Sequence, residues 1–174
     1  MDDALLWVQS ILITTPARWS ALAETVPPTL MRRPPTAGEW SGLECLQHLV
    51  DTERLVFPVR VKCFLEGRDF PAFNPDSEGT KVLGIVEAVA LAKEFRRLRG
   101  ESLVLLEQVK PSDLARTARH PELGPVTLGH LLNEWAGHDL MHTVQGERAL
   151  MQPFIEDCGP WFPSFADHVA SKKA

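Results

Sequence analysis

The chain has 174 residues, 44% apolar and 24% charged, which suits one globular domain over residues 1–174 with a sizeable core. A net charge of −5 and a pI near 5.7 argue against a general nucleic-acid binder, and no apolar run approaches the ~20 residues of a membrane span. Two acids at the start and three cysteines without a CxxC pair point to a cytoplasmic protein with neither a disulfide framework nor a cysteine zinc site.

Residues 2–13 read as a short apolar helix. Thr15-Pro16 then reads as a cap followed by proline at the first turn of a second helix, which runs to about Val26. Four prolines in residues 27–39 predict an extended connection. Ser41 and Glu44 have the spacing of a capping box, so the next helix starts there, runs to about Glu66 and closes at Gly67, with a kink at Pro58. One face of this helix carries Cys45, His48, Leu49, Thr52, Leu55, Val56, Val59 and Cys63. A second face carries Leu46, Val50, Phe57, Val61 and Phe64, and a helix apolar on two sides is buried on two sides. That second face predicts a homodimer, with burial under a 68–80 loop as the alternative.

Residues 67–80 read as a loop, and Lys81 to Val109 as a long amphipathic helix closed by Pro111. The polar stretch that follows, to Thr127, reads as a loop or small hairpin. Thr127 can cap a helix that extends to Met151, and Pro153, Pro160 and Pro163 then break the chain before a short terminal helix at 164–169. No strand-like alternation or internal repeat is present. Four long helices with longish connections predict an all-α four-helix bundle.

The 127–151 helix holds the chemistry. Leu128, Leu131, Trp135, His138, His142 and Ala149 share its core-facing stripe, with Asn133, Gly137, Val144, Glu147 and Arg148 opposite. Histidines at this spacing stand ~5–6 Å apart at Cβ and can bind one metal ion from one side. Two hydrogen-bonded core histidines are the alternative. Among the other histidines, His48 points from the apolar face of its helix into the bundle, His130 is too far along the same helix, His120 can approach the site mouth from its loop but reads better as solvated, and His168 reads as exposed near the terminus. On geometry His48 is the third ligand. Three neutral imidazoles plus water make an open site of the kind used in catalysis.

The segments WSGLECLQHLVDTER and HPELGPVTLGHLLNEWAGHDLMHTVQ closely resemble the DinB/YfiT superfamily, with its W-S start, one histidine on the second helix and a late HxxxH. The likeness runs from Pro16 to about Met151. It implies a DinB-like bundle, often dimeric, holding a divalent metal ion on His48, His138 and His142, with zinc, nickel or manganese as candidates. Activities among relatives include metal-dependent hydrolysis, thiol-dependent S-transfer and maleylpyruvate isomerisation. The expected partners are therefore a small-molecule substrate and, for the transferase or isomerase, a low-molecular-weight thiol. A non-catalytic, dimeric metal-binding protein is the remaining alternative.

On the same helix Glu134, one turn before His138, is a candidate base, ligand or orienting group, and Gln145, one turn after His142, can bond a ligand or the substrate. Asp51 is a candidate orienting group one turn after His48. A zincin protease is disfavoured because Asp139, not glutamate, follows the first histidine, and a di-iron bundle is disfavoured because paired Glu-x-x-His motifs are absent.

Overall fold

A computed structural model of the chain describes residues 3–70 and 86–170. Its helices are α1 (Asp3–Thr25), α2 (Pro28–Met31), α3 (Gly42–Leu55), α4 (Phe57–Glu66), α5 (Ala88–Leu106) and α6 (Leu128–Asp157). A hairpin of β1 (Thr117–His120) and β2 (Gly124–Thr127) precedes α6, and 3₁₀ segments run over Pro111–Ala115 and Gly159–His168. Helices α1 and α3 each pack on both α5 and α6, which closes a four-helix bundle.

Local signals account for the two helix starts that matter. Ser41 accepts from the Glu44 amide at 3.3 Å and Glu44 accepts from the Ser41 amide at 2.8 Å, a complete capping box. Thr127 accepts from the His130 amide at 3.1 Å, and His130 Nδ1 returns the bond in the place of the usual Glu or Gln. Gly67, at φ 71°, ends α4 in the left-handed conformation that glycine adopts without cost.

Several expected boundaries move. The two helices expected over residues 2–26 are one helix, with Pro16 inside it. The connection over 27–39 contains the short helix α2. The break expected at Pro58 falls at Val56 and separates α3 from α4. It turns Leu55 and Val59 out to solvent, although both were expected on the His48 face. Helix α5 starts at Ala88, later than expected, and residues 81–85 and most of the 67–80 loop lie outside the described residues. Helix α6 passes Pro153 and reaches Asp157, roughly 45 Å at ~1.5 Å per residue. The terminal helix is a 3₁₀ segment that starts at Gly159.

The second apolar face of α3 and α4 is covered by the chain itself. Leu46 and Val50 are buried with Leu91, Ala92 and Phe95, while Phe57, Val61 and Phe64 are buried with Phe70, Leu106 and Trp135. The homodimer expected from that face therefore loses its basis, and Phe70 against Phe64, with ring centroids 5.5 Å apart, supplies part of the alternative cover.

The core forms two apolar clusters along the bundle. Glu53, Arg99 and Asp139 fall between them on α3, α5 and α6, each at most 2% exposed. The Arg99 guanidinium bonds Glu53 through Nε (2.9 Å) and Nη2 (2.8 Å), Asp139 through Nη1 (2.7 Å), and the Leu12 carbonyl through Nη1 (2.8 Å). Burial alone would lower its pKa, but Asp139 and Glu53 outweigh burial and raise it, so the guanidinium stays charged in the core.

Candidate metal centre

His48 from α3 and His138 and His142 from α6 come together beside this buried layer, with one nitrogen from each within 4.8 Å of the others. The Nε2 atoms of His48 and His138 are 2.9 Å apart. The ring centroids of His142 lie 4.4 Å from those of both His48 and His138. The core-facing stripe read from the sequence holds in most positions: Leu128, Leu131, Trp135, His142 and Ala149 are buried and Asn133, Gly137 and Val144 are exposed, while His138 on the stripe and Glu147 and Arg148 opposite are half-buried.

The donor set fits a divalent ion. Burial, helped by the neighbouring His142, holds the His48 pKa down to about 4. Burial and the neighbouring His142, His48 and Arg99 hold His138 down to about 2. Burial also lowers His142, against the bond to Gln145. All three imidazoles are thus neutral at pH 7, the form that ligates metal. Two nitrogens bound to one ion by ~2.0–2.1 Å bonds stand about 3 Å or slightly more apart, close to the spacing present. Nδ1 of His138 is buried with no hydrogen-bond partner among the described residues, so neither of its nitrogens is committed outside the cluster.

Gln145 Oε1 accepts from Nδ1 of His142 at 2.8 Å, which leaves Nε2 of that ring as the nitrogen available to an ion. Of the two bonds expected for Gln145, to a histidine of the cluster or to substrate, the bond to His142 is present. Asp51 accepts from Gln47 Nε2 at 2.9 Å and lies 3.9 Å from Arg54. Glu134 is exposed and lines a cavity of about 370 Å³ that opens onto the three histidines. His168 is exposed, as expected, and His130 serves the α6 cap.

Trp40, Phe57 and Arg60 were not read as part of this cavity from the sequence, and His120 takes the alternative position noted for it. Trp40, expected to pack on the first turn of α3, stacks on His142 (5.6 Å, 23°) and tilts over His48 at 5.0 Å. Phe57 meets His138 edge-on at 5.1 Å. His120, expected to be solvated, is half-buried in the cavity wall because the hairpin folds back, and its Nδ1 accepts from the Glu122 amide at 3.1 Å. Arg60 is buried in the same wall. The hairpin signal, a glycine before a short β-branched pair, was the one available hint for His120; Arg60, a charge on a strongly apolar helix, offered another.

The chain is similar to YfiT from Bacillus subtilis, a probable metal-dependent hydrolase with an unusual four-helix bundle topology. The two share 19% identity and a TM-score of 0.75, over 88% of this chain and 89% of that one. This likeness establishes a common fold. No curated protein sequence matches the chain. No helix among the described residues is long and apolar enough to cross a membrane. The family model of the DinB superfamily matches residues 11–145, more than half of the sequence, and with the bundle and its histidine positions in view, the chain belongs to the DinB superfamily.

Proposed function

We propose that this protein is a divalent-metal-dependent hydrolase acting on a small molecule, with His48, His138 and His142 as the ligands. The carrying observation is a cluster of three neutral imidazoles that faces an open cavity and is not sealed in the core. An open cavity is what separates an enzyme from a purely structural metal site. The similarity to YfiT, a probable metal-dependent hydrolase, supports the same reading. Imidazole ligands suit zinc or nickel better than manganese, which prefers oxygen donors. Such an ion, when bound, supplies a water of lowered pKa and polarises the group to be cleaved.

The chain's own residues have distinct tasks. Glu134, on the cavity wall one turn before His138, is the candidate general base. Gln145 holds the His142 ring in the tautomer that ligates and so acts through it. Trp40 and Phe57 shield the histidines with apolar surface and limit water at the site. A cytoplasmic location suits the cysteines, which are free among the described residues.

Thiol-dependent transfer is the second reading, favoured by a cleft of about 230 Å³ on the other side of Trp40, lined by Glu39, Gln145 and Arg148. Hydrolysis needs only water, whereas transfer stops without added thiol.

The test combines metal analysis with ester and amide substrate panels, run with and without a low-molecular-weight thiol. Stoichiometric zinc or nickel lost in each of His48→Ala, His138→Ala and His142→Ala, but kept in His120→Ala and His168→Ala, is the expected pattern. Turnover unaffected by those three substitutions would end the proposal.

A further inference from the structure

The structure assigns Arg60 as the anchor for a carboxylate on the substrate, and makes that substrate an organic monocarboxylate with a flat apolar body. The assignment builds on the metal-site reading above for the position of the reacting group, but not for the anion contact itself. Arg60 is 8% exposed and lies in the wall of the cavity that holds the histidines. The other buried arginine, Arg99, is saturated by Glu53, Asp139 and the Leu12 carbonyl. Arg60, by contrast, makes no hydrogen bond or ion pair with any described residue. Its guanidinium lies over the Phe70 ring, 5.1 Å from the centroid. Glu134 influences it electrostatically without pairing with it. A guanidinium stacked in place in a cavity wall, with no described partner, is suited to a planar anion taken bidentately.

The rest of the cavity narrows the anion. Glu122 and Glu134 line the same cavity, and their two carboxylates repel a phosphate dianion more than a monoanion. Trp40, Val56 and Phe57 line the space beside the histidines, so the body of the substrate is apolar. The carboxylate on Arg60 and the reacting group at His48, His138 and His142 would then be fixed at opposite ends of one small molecule.

The experiment measures phenylacetate, its neutral isostere phenylacetamide and inorganic phosphate binding by calorimetry, to metal-loaded and metal-stripped protein. Wild type should prefer phenylacetate over phenylacetamide, and Arg60→Met should lower phenylacetate affinity about ten- to hundredfold while phenylacetamide is unaffected. Arg60→Lys should keep part of the preference. Were Arg60→Met to misfold by circular dichroism, Arg60→Gln against Arg60→Lys gives the same comparison. The preference should persist in stripped protein, because Arg60 and not the ion carries it. A preference that survives in Arg60→Met, one that vanishes on stripping, or binding of phosphate in place of phenylacetate overturns the assignment. Metal content is read separately, so a protein that binds no ion but keeps the Arg60-dependent preference would sink the hydrolase reading and leave this one standing.

Discussion

Arg99 Nη1 lies 2.8 Å from the carbonyl oxygen of Leu12, the acceptor that Pro16, four residues later in α1, leaves without its helical donor. A proline inside a helix removes that amide and usually kinks or breaks the helix. Here a side chain from α5 supplies the missing hydrogen bond, and α1 continues through Pro16 to Thr25. The same guanidinium bridges Glu53 on α3 and Asp139 on α6, so one residue links all four walls of the bundle next to His138.

Arg99→Met should therefore be among the most damaging single changes in the chain. It leaves two carboxylates at 1% side-chain exposure without a counter-charge, a loss of about 3–5 kcal/mol for a buried pair broken on one side. Urea unfolding of the metal-free protein measures it. Adding Pro16→Ala restores an amide to the Leu12 carbonyl but does nothing for Glu53 and Asp139, so the double variant should regain only a small part. Full recovery would mean that the carbonyl, not the charges, dominates.

The contrast between prolines and caps shows what was legible in the sequence. Ser41–Glu44 and Thr127 start their helices through bonds between residues at most three apart, and both starts were readable. The fate of Pro16 depends on a side chain 83 positions away, which no local pattern encodes. The i,i+4 pair His138 and His142 was visible as a spacing, and His48 as a polar residue on an apolar face. The two-sided apolar pattern of α3 and α4 was also real, but pattern alone does not say whether α5 and Phe70 or a second subunit covers it. Trp40, His120 and Arg60 reach the site through a connection, a hairpin and a helix broken at Val56, so their positions depend on tertiary path.

Gln145→Ala removes the acceptor for His142 Nδ1 while touching no ligating atom. Loss of a residue that orients a metal-ligating histidine costs about 10–100-fold in metal affinity. Zinc titration against a competing chelator should show that drop, with helicity unchanged. Gln145→Glu keeps an acceptor and should stay within a few-fold of wild type. Equal affinity in the alanine variant would show that the His142 ring is held by its packing against Trp40 alone.

Gly146 faces the buried Trp19 indole from α6. A Cβ there would meet Trp19 Cη2 at 2.5 Å and Cζ2 at 3.2 Å. Alanine is ordinarily better than glycine in a helix by about 1 kcal/mol. In this position overpacking against a fully buried ring costs typically ~1–3 kcal/mol, so Gly146→Ala should be net destabilising. It should also strain the Trp19 Nε1 bond to Thr143, now 3.1 Å. Thermal melting with tryptophan fluorescence tests both; a raised melting temperature would contradict this packing.

The pH dependence separates the fold's own histidine term from that of the ion. An unfolded histidine titrates near ~6.5, whereas burial holds His48 down to about 4 and His138 to about 2 in the folded protein. The unfolded chain therefore takes up protons first as the pH falls. Stability from these groups is fully present above ~6.5, declines below it, and is lost once the pH passes the folded values. Metal-free protein should accordingly melt at steadily lower temperature from pH 6.5 downward. Bound metal competes with protons only on the folded imidazoles, and two of these, His48 and His138, stay neutral well below pH 6. The gap in melting temperature between zinc-loaded and metal-stripped protein should consequently persist at pH ~5.5 and close as the pH falls through about 4, the value to which His48 is held. Stripping by dialysis beforehand avoids the loss of chelator strength in acid. A gap that closes near pH 6 would mean that His48 and His138 titrate as solvated histidines and are not held down by burial; no gap at any pH would mean that the ion does not tie α3 to α6.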